Sequence, residues 1–236
     1  MPRCIGHTGS VRYHVKTCDP SGPRIWTRRR VLLASFATLA STCAPLRAAR
    51  PAIQTTTPHA LAEIESKVGG RVGVFALDTG TGMELAHRED ERFAMCSTFK
   101  WVLAAAILAR VDRGHLSLEG RVPYGSTDLL DYAPVARAQV ADGYMTVQAL
   151  ARASVVVSDN TAANLLLGLT DGPPGLTQFI RSMGDPVTRL DRTEPTLNSN
   201  EPGDTRDTTS PRAMVSLMRK ILCGDALSSA SRERLL

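Results

Sequence analysis

The pattern of apolar and polar positions along the 236-residue chain changes period several times, and each change marks an element. "TPHALAEIESKV" (Thr57–Val68) places apolar residues at helical spacing, with Pro58 suited to a first turn, and predicts a short amphipathic helix. Two runs, Arg71–Thr79 and Met83–Arg88, then flank the turn residues Gly80, Thr81 and Gly82, which predicts a β-hairpin. "STFKWVLAAAILARVDRG" (Ser97–Gly114) is apolar on nearly every side and predicts a buried helix stopped by Gly114. Further helices are expected over Thr146–Val156, Asn160–Leu169 and Gly175–Met183. "SPRAMVSLMRKILCG" frames another, with Ser210 as N-cap, Pro211 in the first turn and Gly224 as the stop. Between Leu190 and Asp207 the period disappears, and a polar loop of that length in a compact domain usually carries function. "SSASRERLL" reads as a helix just begun, too short to hold on its own.

Composition is that of an ordinary soluble protein, and the length suits one compact domain or a modest two-lobed one. Charge changes the picture through its distribution. Residues 1–50 hold nine Lys/Arg and one acid, whereas the remainder holds 19 Lys/Arg and 22 acids. The basic character therefore belongs to the N-terminal segment, and a nucleic-acid partner loses its main support. That segment, "TRRRVLLASFATLASTCAPLRAA", runs from a basic head (Arg28, Arg29, Arg30) through an apolar stretch to small residues, the order of an export signal. It is too short and too rich in Ser and Thr to span a bilayer, so no stable membrane anchor is expected. The paired arginines resemble a twin-arginine signal, with the general secretory route as the alternative. The expected organisation is an export signal over 1–48, cleaved near Ala48 or Ala49, then a helix and first hairpin over 49–92, then a helical unit over 93–236. Periplasmic or secreted localisation follows. Of five cysteines, Cys96 and Cys223 remain beyond the signal, and two cysteines alone do not establish a pairing. The few His and Cys show no ligand spacing, so neither a metal nor another cofactor is expected.

The candidate chemistry is spread over three places. Ser97 and Lys100 lie three apart at the head of the most apolar helix, hence on one face. A serine hydroxyl is a weak nucleophile until a base takes its proton, and a lysine in a dry site is one such base. Ser158, Asp159 and Asn160 stand together before the next apolar helix, where Asp159 or Asn160 also qualifies as a plain helix cap. Inside the long loop, "RLDRTEPTLN" offers Glu194, Pro195 and Asn198, a carboxylate and an amide able to hold one water.

Together these pieces resemble the class A serine β-lactamases, whose signature is S-x-x-K, S-D-N and K-T-G. Here the first is "STFK" and the second "SDN"; "DRTEPTLN" looks like the family's omega loop, 190–207, and "RDTTSP" (Arg206–Pro211) like its exit. "DLLDYAPV", with Tyr132, resembles the aromatic wall of the site's mouth. The resemblance runs from about Thr57 to Leu236 and implies an α/β (α+β) two-lobed fold of serine β-lactamase/transpeptidase type. It implies Ser97 as the acylated nucleophile, Lys100 in its deprotonation and Ser158 as the relay to the lactam nitrogen. Glu194 would activate the deacylating water, with Asn198 helping to hold it, and Asn160 and Tyr132 would bind substrate. Arg192 and Asp207 would form the ion pair closing the loop, and the Glu194–Pro195 bond would be cis. The partner implied is a small-molecule β-lactam, and the protein is expected to be a monomer. Cys96 stands where a carbapenem-hydrolysing subset carries a disulfide, but that subset's second cysteine lies later than any here, so Cys96 is expected to be unpaired and largely buried.

One part of the signature does not occur. No K-T-G, K-S-G or R-T-G follows the loop, and the last lysine is Lys220. The resemblance assigns to that motif a strand lining the site, a second oxyanion donor and the carboxylate-binding groups. The expectation is therefore a nearly complete all-α lobe and a sheet lobe lacking its later strands and C-terminal helix. Such a chain would be impaired, since losing one oxyanion donor alone costs roughly 10²–10³ in rate. The alternatives are an inactive fragment or a penicillin-binding DD-peptidase that only acylates.

Overall fold

The computed structural model describes residues 57–236; the expected export signal lies outside the described residues. Helix α1 (Thr57–Val68) leads into an antiparallel hairpin of β1 (Val74–Leu77) and β2 (Glu84–His87), in register from Val74 opposite His87 to Leu77 opposite Glu84. Its turn is built by Asp78, whose Oδ1 accepts from the backbone N–H groups of Gly80 and Thr81, and by Gly82 at φ +73°. Glu65 fastens α1 to the hairpin, accepting from Val72 N at 2.9 Å and Arg88 Nε at 2.7 Å.

After the two-residue strand β3 (Phe93–Ala94) comes α2 (Phe99–Asp112). Val102 through Ala109 are all buried, as expected of a helix apolar all round, and α2 is the axis against which four later helices pack, three of them consecutive and the last near the C-terminus. It ends where Gly114 adopts φ +74°, a conformation that costs glycine little. Strand β4 (Arg121–Pro123), helix α3 (Pro134–Gln139) and strand β5 (Tyr144–Thr146) follow, with β4 and β5 paired antiparallel. Helices α4 (Val147–Val156), α5 (Asn160–Gly168) and α6 (Gly172–Ser182) complete the inner layer. Their apolar faces (Leu150, Ala153, Leu166, Leu167, Leu176, Ile180) meet α2 in one core with Leu103 and Ile107. Thr146 caps α4 and Asp159 caps α5, each through a side-chain oxygen on a free N–H of the first turn.

The loop returns through β6 (Thr208–Thr209), which pairs antiparallel with β3 and brings the loop's exit beside the segment carrying Ser97. Helix α7 (Pro211–Cys223) starts at Ser210, whose Oγ accepts from Ala213 N, and packs on β1, with the Arg212 guanidinium 4.3 Å above the Phe75 ring. Helix α8 (Ser229–Leu235) is seven residues long, yet it is anchored. Asp112 at the end of α2 accepts from Ser228 N, Ser228 Oγ and Ser231 Oγ, and Leu227 and Leu235 are buried. What a short helix lacks alone is supplied by this tertiary contact.

Several boundaries differ from the sequence pattern. Residues Cys96–Thr98 form a 3₁₀ turn ahead of α2 rather than its first turn, and α6 begins at Gly172, not Gly175. The pairs β3–β6 and β4–β5, and the six-residue α3, were not anticipated, because elements of two to six residues are too short to show a period. The fold is thus mainly helical with small antiparallel sheets. Among the described residues no helix is long and apolar enough to cross a membrane.

Candidate active site

Ser97 lies in the turn between β3 and α2 and is exposed, while Lys100, in the first turn of α2, is 2% exposed. The turn is forced: Cys96 holds φ +43°, and across the site Ser158 holds φ +58° and Asp207 φ +55°. Left-handed backbone at non-glycine residues costs on the order of 1–3 kcal/mol each and persists only where surrounding structure imposes it. Here it turns the nucleophile-bearing residue out of the helix axis while the lysine stays inside.

The Lys100 ammonium is surrounded by oxygen. It donates to Asn160 Oδ1 at 2.6 Å, Ser158 O at 2.8 Å, Ser158 Oγ at 3.0 Å and Ser97 Oγ at 3.3 Å. Glu194 Oε1 lies 3.0 Å from it, in an ion pair whose side chains are 2% and 0% exposed. Five oxygens compete for three protons, so this buried cation is fully compensated. Ser158 Oγ in turn donates to Ser97 Oγ at 3.0 Å. Ser97, Lys100, Ser158, Asn160 and Glu194 therefore form one connected cluster. Since Asn160 Oδ1 is spent on Lys100, its Nδ2 remains to donate to a ligand.

Asp159 shows why the cluster holds its shape. Fully buried, it accepts from Ala162 N through Oδ1 and from Val135 N and Ala136 N through Oδ2. One carboxylate thus caps α5 and α3 together, so the sequence-level choice between Asp159 and Asn160 as cap falls to Asp159. Asn160 N donates to Tyr132 O at 2.9 Å, which docks the Tyr132 segment on this corner; the Tyr132 residue itself is 56% exposed.

Glu194 arrives from the long loop. Its Oε2 accepts from Asn198 Nδ2 at 2.7 Å, and Oε1 has Lys100 beside it but no hydrogen-bond partner of good geometry. The Glu194–Pro195 peptide is cis, and a 3₁₀ turn, Thr196–Asn198, follows. At the loop's neck Arg192 Nε donates to Asp207 Oδ2 at 2.5 Å, and the Asp191 and Arg192 N–H groups donate to Asp207 Oδ1. Asp191 Oδ2 accepts from Asp207 N in return. Asp207 is 1% exposed, so this is a desolvated clamp rather than a surface ion pair. The other end of Arg192 holds Ser199 through its hydroxyl and carbonyl.

Asn164 was missed in the sequence. One turn beyond Asn160 on α5, its Nδ2 donates to Glu194 O at 2.9 Å and its Oδ1 accepts from Glu194 N at 3.0 Å. The available signal was an amide four residues after Asn160 in an otherwise apolar helix. Cys96 needs a correction: it is a free thiol, but it is exposed rather than buried, because the turn at φ +43° faces outward.

Comparison with known proteins agrees with this geometry. Residues 57–236 match a family model described as the beta-lactamase enzyme family. Beta-lactamase L2 of Stenotrophomonas maltophilia is 48% identical over 218 residues, covering 88% of this chain and 72% of the relative. An ancestral (GNCA) class A β-lactamase superposes with a TM-score of 0.74 at 58% identity, covering 75% of this chain and 68% of that one. A β-lactamase from Xanthomonas campestris gives a TM-score of 0.72 at 50% identity, over 74% of this chain and 65% of that one.

Proposed function

Since this chain belongs to the beta-lactamase enzyme family, with class A serine enzymes as its kin, we propose that Ser97 opens the β-lactam ring and carries the acyl group. Hydrolysis of the β-lactam amide bond is the family's activity and the chemistry of antibiotic resistance. The observation that carries the assignment of roles is the contact chain Ser97 Oγ–Lys100 Nζ–Glu194 Oε1, at 3.3 and 3.0 Å, with one end exposed and the other buried.

The steps follow from that chain. Lys100, in its neutral amine form beside Ser97 Oγ, takes the hydroxyl proton as the oxygen attacks the lactam carbonyl. The backbone N–H of Ser97 would supply one donor to the developing oxyanion. Ser158 Oγ, bonded to both Ser97 and Lys100, passes the proton on to the departing lactam nitrogen. Asn160 Nδ2 orients the substrate's side-chain amide, and Tyr132 forms the mouth's wall. In the second half the Glu194 carboxylate draws a proton from a water that Asn198 helps to hold, the hydroxide adds to the ester carbonyl, and the proton passes on to Ser97 Oγ as that oxygen leaves, which restores the serine and releases the ring-opened acid. The Arg192–Asp207 clamp and the Pro195 turn keep the carboxylate at that station. A peptidase that acylates without turnover is not favoured, because Glu194 with Asn198 gives the ester its hydrolytic base.

Export to the periplasm by the twin-arginine route, with action as a monomer on a small-molecule β-lactam and with neither nucleic acid nor a membrane as partner, completes the proposal. The experiment assays the full chain with a chromogenic cephalosporin and follows penicillin adducts by intact mass. Ser97→Ala abolishes turnover, and Glu194→Gln accumulates an adduct on Ser97. Persistent hydrolysis by Ser97→Ala, or an absent adduct in Glu194→Gln, overturns the assignment. Fractionation of cells carrying Arg28→Lys with Arg29→Lys tests the route: continued export refutes it.

A further inference from the structure

Behind the loop, away from Ser97, one cation lacks the counter-charge that its neighbours hold. Arg92 is half-buried just before β3, and its Nη1 donates to Val187 O and Thr208 Oγ1, both at 2.9 Å. Around it Arg71, Arg189, Arg192 and Arg206 each pair with a carboxylate, whereas no carboxylate among the described residues lies within 4.0 Å of Arg92. A guanidinium has five N–H donors, and those on Nε and Nη2 of Arg92 meet no acceptor among the described residues. Arg92 lines a cavity of about 590 Å³, walled on one side by Arg71 and Ala94 and on the other by the loop segment 200–205.

The carboxylates sharing that wall are mostly spent. Glu91 is bound to Arg71 and Arg88, and Asp204 to Arg206. Glu201, at the loop's tip, makes no ion pair among the described residues and is the only competitor for Arg92 among the carboxylates lining the cavity. We propose that this cavity is an oxyanion-binding site, in which the free edge of the Arg92 guanidinium takes a phosphate-like anion. A guanidinium edge presents parallel N–H groups matched to two oxygens of such an anion. Because Arg92 also holds Thr208, next to the clamp residue Asp207, a bound anion ties the loop's tip to β3 and stiffens the loop that carries Glu194. The inference stands apart from the β-lactam chemistry, since its readout is binding.

The test titrates the full chain with inorganic phosphate against chloride at matched ionic strength. It follows the melting temperature and the hydrogen exchange of residues 199–205. Phosphate is expected to raise the melting temperature saturably and to slow exchange in that segment. Arg92→Gln weakens the apparent affinity by about tenfold or more, as expected for loss of a charge-assisted bond. Glu201→Gln, which removes the competing carboxylate and touches no other contact described, strengthens it. If Arg92→Gln does not fold, Glu201→Gln and Arg92→Lys carry the test. An equal effect of chloride, or a response unchanged in Arg92→Gln, overturns the site. So does a Glu201→Gln variant that loosens the loop without gaining affinity, because Glu201 would then itself be the partner of Arg92.

Discussion

Replacing Asn164 by alanine asks how much of the site depends on a residue that touches no substrate. Its amide spans the Glu194 backbone with two hydrogen bonds, at 2.9 and 3.0 Å, in a half-buried position on α5. A hydrogen bond contributes about 0.5–1.5 kcal/mol net, but removing one partner strands the other, at about 1–3 kcal/mol for each buried group left unpaired. With both the N–H and the carbonyl of Glu194 stranded, Asn164→Ala is therefore expected to cost roughly 2–6 kcal/mol against the closed loop. The carboxylate then samples positions away from Lys100 and the ester, and a displacement near 1 Å is enough to cost about 10²-fold in rate. Acylation, which begins at Ser97, suffers less than deacylation, which needs Glu194 in place. Asn164→Asp keeps the acceptor for Glu194 N but loses the donor to Glu194 O, so it is expected to fall between. The assay is rapid quench with a penicillin followed by intact mass, which separates formation of the Ser97 adduct from its loss, beside a thermal melt. Should Asn164→Ala melt lower yet release its adduct at the wild-type rate, the amide supports the fold only and the positioning argument fails.

Three further outcomes follow. Arg192→Ala leaves the Asp207 carboxylate, 1% exposed, with backbone donors alone; a loss of about 3 kcal/mol or more is expected by chemical denaturation, with exchange rising across 192–207 first. Glu65 is held at a pKa of about 2, below its ordinary 4.5, first by the Arg88 side chain and then by Val72 N–H, so its contribution is present above pH 4.5 and is lost as pH falls toward 2. Melting curves from pH 6 to 2 should flatten in Glu65→Gln, and an unchanged slope refutes the assignment. Asp112→Ala removes all three acceptor contacts to Ser228 and Ser231, and hydrogen exchange in 229–235 should become that of a frayed helix while the α2 core stays protected.

How far the chain alone determines this protein depends on the range of each signal. Most helices and the first hairpin were legible, because each rests on a local period and a local punctuation mark: Ser210 before Pro211, Gly114 after α2, Gly82 in the turn. Ser97, Lys100, Ser158 and Glu194 were legible as residue types, since a serine and a lysine on one turn of an apolar helix, and a carboxylate in a long polar loop, are unusual within their own segments. Their meeting was legible only through the family resemblance, because residues 97, 158 and 194 come from three separate segments and nothing local encodes a 3.0 Å contact between Lys100 and Glu194. The same holds for Asp159 capping two helices at once, for Asn164 gripping Glu194, and for strands β3 and β6, two residues each and more than a hundred positions apart. Local chemistry chose the groups; only the packing of α2, α4 and α5 around one core, with the loop clamped by Arg192 and Asp207, brought them within hydrogen-bond reach. Burial then fixed what each can do, because the same lysine and glutamate in water would be two solvated charges with no reason to pair.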